Sequence, residues 1–159
     1  MKALIVYDSV YGNTEKIAQS VGRAFGPGGD AKTLRVGEVK PEHLAGLDVL
    51  IVGSPTQKFT ALPAIKKFLA GIPENGLKGV RVAAFDTRIS MKDTKSRFLH
   101  LMVKLFGYAA EPLARRLVKK GGEEAVPPEG FFVDGTKGPI KAGELDRAAA
   151  WAGRIAARP

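Results

Sequence analysis

The residues best placed to do chemistry are the seven at positions 8–14, DSVYGNT, between an apolar run (Ala3 to Tyr7) and a segment of helical periodicity. Small, polar and glycine residues make poor core material. Here they fall where a strand hands over to a helix. The first amides of a helix have no intrahelical partner, and the helix dipole adds positive potential at that end. Gly12 lets the backbone approach a ligand closely, and Ser9, Asn13 and Thr14 add hydrogen-bonding side chains. Such a loop is a phosphate cradle that needs no lysine. It is not a Walker A loop, because GK[ST] is absent, and it is not GxGxxG, because Gly12 stands alone. Its plainer reading is a strand–helix turn with Asn13 or Thr14 as N-cap.

The elements that must position this loop follow from the apolar pattern. Four short runs read as strands: Ala3 to Tyr7, Leu34 to Val36, Val49 to Gly53 and Val80 to Phe85. Three are almost continuously apolar, as expected of strands covered on both faces in a parallel sheet. Helical faces lie between them. The first comprises Ile17, Ala18, Val21, Ala24 and Phe25, stopped by Gly26 to Gly29; the second comprises Leu62, Ile65, Phe68 and Leu69, with Pro63 in a first turn. A short PEHLAGL segment precedes the third strand, and Leu145, Ala148, Ala149, Ala152, Ile155 and Ala156 form a last helical face, with Trp151 beside it as packing. A fifth strand is expected within EEAVPPEGFFV, interrupted or at an edge because Pro127, Pro128 and Gly130 split it.

Strands alternating with helices predict an α/β sandwich, here a single domain over residues 1–159 with a five-stranded parallel sheet in the order 2-1-3-4-5 and helices on both faces. In that order strands one and three are neighbours, and the crevice between their loops is the topological switch point where open sheets bind ligands. Two more polar loops are expected to reach it, GSPTQKF after the third strand and FDTRIS after the fourth.

The totals exclude several classes. The chain has 159 residues and no cysteine, so disulfides, thiolate nucleophiles, iron–sulfur clusters and cysteine-bound zinc are ruled out. His43 and His100 are too few for a histidine-rich metal site. The apolar start is too short for a signal peptide, and no run approaches the roughly 18 residues of a membrane span. The expected location is the cytoplasm.

The two loops together resemble the flavodoxin-like, FMN-binding proteins. SVYGNTEKIA is similar to that family's phosphate loop, [ST]-x-T-G-N-T, with Tyr11 in place of the usual threonine, and GSPT is similar to the start of the loop that lines one side of the flavin. The local form is especially similar to the flavodoxin modules of flavodiiron proteins and to WrbA-type quinone reductases. The C-terminal GFFVDGTKGPIKAGELDRAAAWA resembles small single-domain bacterial members. The resemblance implies FMN as cofactor. Ser9, Tyr11, Gly12, Asn13 and Thr14 would hold its phosphate, with the backbone amide of Val10. Ser54, Pro55, Thr56, Gln57, Lys58 and Phe59 would line the ribityl chain and one side of the ring, with Phe59 the aromatic candidate. Asp86, Thr87 and Arg88 would form the opposite loop. It implies an electron carrier exchanging electrons with a redox partner protein. The alternatives are a small NAD(P)H or quinone reductase, or a flavin-free binding module of the same fold.

Charge adds two expectations. The net charge is +9, whereas electron-carrier flavodoxins are commonly acidic; Lys58 and Arg88 are therefore expected to stabilise the reduced flavin and make its potential less negative. Residues 88–120 hold nine basic side chains against two acidic ones, together with the apolar FLHLMVKLFGY. This stretch reads as an inserted helix packing on the core, or as an exposed face (Arg97–Tyr108) meeting an acidic redox partner, a membrane surface or another subunit. Nucleic-acid binding rests on charge alone and is not expected. A response-regulator phosphoacceptor would need an acidic pair after strand one, where Asp8 stands alone.

Overall fold

The computed structural model describes residues 1–157. The chain runs β1 (Lys2–Tyr7), α1 (Asn13–Arg23), β2 (Asp30–Arg35), a 3₁₀ turn, α2 (Pro41–Leu44), β3 (Val49–Pro55), α3 (Pro63–Gly71), β4 (Arg81–Ile89), a second 3₁₀ turn, α4 (Arg97–Phe106), α5 (Ala110–Lys119), β5 (Glu123–Glu124), β6 (Glu129–Val133) and α6 (Glu144–Ala156). The sheet is parallel in the order β2-β1-β3-β4-β5, and β6 also pairs with β4. β5 pairs with Arg81 and Val82, while β6 pairs with Phe85 to Ile89. The expected fifth strand is thus two segments along one edge of β4, divided at Pro127 and Pro128, where ladder amides are missing. This is the expected flavodoxin-like architecture, with six strand segments in place of five strands.

Successive strand residues point to opposite faces, so each inner strand feeds two cores. Ala3, Ile5 and Tyr7 pack with Ile17, Val21, Trp151 and Ile155 under α1 and α6. Leu4, Val6, Leu50 and Val52 pack with Ile65, Leu69, Leu113 and Leu117 under α3 and α5. Trp151 is fully buried, edge-on to Phe85 and Phe131.

Several boundaries differ from the sequence expectation. β2 is Asp30–Arg35 rather than Leu34 to Val36: it is an edge strand with half-exposed residues, so its apolar signal is faint. α1 ends at Arg23, leaving Ala24 and Phe25 in the turn beyond it. β3 continues through Gly53 and Ser54 to Pro55. β4 continues to Ile89, because β6 supplies a hydrogen-bonding neighbour for Asp86, Thr87 and Arg88. These three residues are therefore strand, not loop. The basic stretch forms two helices. α5 buries Ala110, Leu113, Ala114 and Leu117, whereas α4 buries no residue.

Candidate functional site

A cavity of about 310 Å³ opens at the carboxyl ends of β1, β3, β4 and β6. Its first wall is the turn from β1 into α1. Gly12 is the N-cap, at φ 88°, and no side chain caps the first turn of α1. Those amides therefore stay available to a ligand. The turn itself is held from behind. Ser9 Oγ accepts from the Gly12 amide at 3.0 Å, and the Asp8 carboxylate accepts from the Ser9 amide at 2.9 Å. Arg35, at the end of β2, donates to Asp8 at 3.1 Å and to the Ser9 carbonyl at 2.5 Å. Thr14 and Thr87 share a buried hydroxyl–hydroxyl hydrogen bond of 2.8 Å, tying α1 to β4 across the cavity floor.

The opposite wall follows β3. Gln57 and Thr60 exchange two backbone hydrogen bonds, at 2.9 and 3.0 Å, around Lys58 and Phe59. Both central residues have positive φ, 47° and 63°. That is a type I′ hairpin turn built without glycine, a conformation that side chains adopt at a cost in strain. Thr56 anchors the loop, its amide donating to the Thr87 carbonyl at 3.0 Å and its Oγ1 accepting from Ala109 N at 3.0 Å.

Beneath this wall lies a buried ion pair. Arg88 donates twice to Asp86, at 2.6 and 2.7 Å, and its guanidinium lies 3.7 Å from the centroid of the Tyr108 ring. Asp86 also accepts from Ala110 N at 2.9 Å. Burial pushes the Asp86 carboxyl above its ordinary value, against the pull of Arg88 and the Ala110 amide. A Cβ on Gly130 would sit 2.2 Å from the guanidinium, so glycine is what lets β6 pass over it.

Of the expected site residues, Ser9, Val10, Tyr11, Asn13, Thr14, Pro55, Thr56, Gln57, Lys58, Thr87 and Arg88 line one cavity. Four stand apart from it. Gly12 shapes the turn without lining the cavity. The Ser54 hydroxyl is spent on the Leu62 amide and the Pro55 carbonyl, both at 2.9 Å. Phe59 turns toward α4, its ring 6.1 Å from that of Phe106. Asp86 is fully buried behind Arg88. Arg88 reaches the cavity, but its charge is matched by Asp86, so the expected free positive charge at this position is corrected. The exposed Lys58 is the unburied cation on this side. Ile89, Val133, Gly135 and Thr136 complete the lining. The signal for the last three was an Asp-Gly turn directly after the apolar FFV, the pattern of a strand end.

The sequence profile described as Flavodoxin matches residues 5–138. The chain belongs to the flavodoxin family. Members are FMN-binding flavoproteins that pass electrons to redox partner proteins. No curated protein is significantly similar in sequence. Among solved structures, a flavodoxin from the domain Archaea superposes with a TM-score of 0.75 at 23% identity, covering 98% of this chain and 96% of the other. The WrbA-like flavodoxin from Agrobacterium tumefaciens gives 0.72 at 19% identity, covering 98% and 94%. Rubredoxin oxygen:oxidoreductase from Desulfovibrio gigas gives 0.73 at 22% identity, covering 98% of this chain but 35% of that longer protein. At these identities the structural matches show a common fold.

The cavity of this flavodoxin fits the family cofactor. The uncapped α1 amides with Ser9, Asn13 and Thr14 suit a phosphate, and the volume lies within the range of small-ligand sites. Pro55 to Lys58 and Thr87 to Ile89 offer two sides to a planar group.

Proposed function

We propose that this single-domain chain is a cytoplasmic electron carrier of flavodoxin type, holding FMN in the crevice between Ser9–Thr14 and Pro55–Lys58. One observation carries the reading: the N-terminus of α1 opens into a cavity with its first amides uncapped, a site made for a dianion. When bound, the flavin supplies the redox chemistry. The protein positions it, and Lys58 supplies positive potential that favours the reduced form. With a net charge of +9, association with acidic surfaces is accelerated at low salt.

A specific feature favours a second reading, a reductase acting on NAD(P)H and a quinone. A second cavity of about 310 Å³, lined by Met91, Leu99, Val103 and Tyr108, shares Thr56, Lys58, Arg88 and Ile89 with the first. It offers space for another ring beside the flavin.

The test is to add FMN, remove the excess by gel filtration and record the visible spectrum. A retained flavin spectrum supports the reading, and a colourless protein overturns it. With flavin retained, steady turnover of NADH with a quinone would replace the carrier by the reductase.

A further inference from the structure

Helix α4 is built unlike α1, α3, α5 and α6, each of which buries a face against the sheet. None of its ten residues is buried. Phe98, Leu101, Leu105 and Phe106 are 68%, 52%, 65% and 59% exposed. At about 100° per residue, Phe98, Leu101, Met102 and Leu105 fall within one stripe roughly 100° wide. Leu99 and Val103 take the opposite side and line the cavity beside Tyr108. The outer stripe is therefore apolar in its own right and does not serve the core.

The charges flank this stripe. Arg97 and Lys104 lie seven residues apart along one border, and α4 contains no acidic residue. Lys92 and Lys95, both exposed, precede the helix. Asp93, the nearest carboxylate in the sequence, is taken by Lys141.

We propose that α4 lies in the plane of an anionic lipid surface, with Phe98, Leu101 and Leu105 among the acyl chains and Arg97 and Lys104 at the phosphates. The shape and the charge select this occupant. The stripe is a convex ridge, which a fluid bilayer accommodates and a protein would meet only with a matching groove. Long basic side chains beside it bury their stems and keep their heads at the headgroup level. An acidic protein would answer the charge but set carboxylates against phenyl and leucyl groups. A second copy of the chain would bring like charges together along the same border. The inference does not depend on bound flavin.

Flotation of the FMN-treated protein with vesicles of phosphatidylcholine, alone and mixed with phosphatidylglycerol, tests it. The wild type is expected to float with the mixed vesicles and not with phosphatidylcholine alone. Phe98→Ser with Leu105→Ser should weaken partitioning at least tenfold, by loss of buried apolar area. Arg97→Gln with Lys104→Gln should weaken it roughly thirtyfold at low salt, from about 1 kcal/mol per basic residue at the surface. All four positions are exposed, so the variants should keep the wild-type melting temperature. Three results would overturn the proposal: wild type left unbound by mixed vesicles, both double variants floating like the wild type, or vesicles left bare while sedimentation shows a dimer that the Phe98→Ser, Leu105→Ser variant loses. A colourless protein that still floats fails the flavin reading alone.

Discussion

The two walls of the crevice are held by different physics. The wall from Ser9 to Thr14 is backbone geometry: a left-handed Gly12, a ring of hydrogen bonds through Asp8 and Arg35, and a helix end left open. The wall from Thr56 to Ile89 adds side-chain architecture to a backbone turn strained at Lys58 and Phe59: an ion pair buried under Tyr108. The first wall rests on short bonds within the turn, braced from the end of β2 by Arg35. In the second wall one buried carboxylate, Asp86, holds both its near neighbour Arg88 and the distant Ala110 amide, so a single substitution there should damage it more.

The largest effect is expected at Asp86. Asp86→Ala leaves the Arg88 guanidinium, whose side chain is 13% exposed, without its carboxylate, and leaves the Ala110 amide without an acceptor. Removing one member of a buried pair costs about 3–5 kcal/mol. Urea unfolding should show a loss of that size, and less flavin should stay with the variant after gel filtration. A cost near zero would mean that the second wall does not rest on this pair.

The hydroxyl pair of Thr14 and Thr87 joins the two walls. Thr14→Val strands a buried hydroxyl and should cost about 2 kcal/mol, because an unsatisfied polar group loses its hydration without compensation. Replacing both threonines by valine should cost less than the two single changes added together. Additive costs would show that the walls are energetically separate.

How much of each wall was legible follows the same division. DSVYGNT and GSPT could be read as ligand loops because a turn, an N-cap and a polar strand end are local chemistry. The edge strand could be read as interrupted because Pro127 and Pro128 announce it. Asp86, Thr87 and Arg88 looked like loop because polar residues after an apolar run usually are; their strand exists only because β6 pairs with them. Arg88 finds Asp86 two residues away because both lie on one face of a strand that β6 completes, and Tyr108 comes from another element, so its charge seemed free. The ring of Phe59 seemed free for the ligand in the same way, although its neighbour is Phe106. The apolar part of the basic stretch read as one inserted helix, whereas two form, and packing separates the buried α5 from the exposed α4.

A smaller effect is expected where β6 enters the crevice. Glu144 accepts from the Phe132 amide at 2.7 Å and from Arg147 at 2.9 and 2.7 Å, and Arg147 also pairs with Glu129. Burial pushes the Glu144 carboxyl up, but Arg147 and the Phe132 amide outweigh it and hold it below its ordinary value. A depressed acid stabilises the fold above its unfolded value, near 4.3, and that contribution is lost as pH falls through the lower folded value. Glu144→Gln should cost about 1 kcal/mol at neutral pH, given the partial exposure of Arg147. The difference from wild type should shrink below about pH 4. Chemical denaturation of both proteins from neutral to acidic pH measures this, and a difference independent of pH would assign the effect to packing.

The smallest effect compares the two cations of the second wall. Arg88 is matched by Asp86, whereas Lys58 stands exposed at the tip of the strained turn. A solvent-facing charge some ångströms from the flavin contributes on the order of 0.5 kcal/mol to the reduced form, which for one electron is roughly 20 mV. Lys58→Gln should therefore make the midpoint potential of bound FMN more negative by about that much, and added salt should reduce the difference because exposed charges are screened. Potentiometric titration of both proteins at low and high salt reads the shift. A potential unmoved by the substitution would place the positive influence elsewhere, in the helix end of the first wall, and would make backbone geometry the source of both binding and tuning.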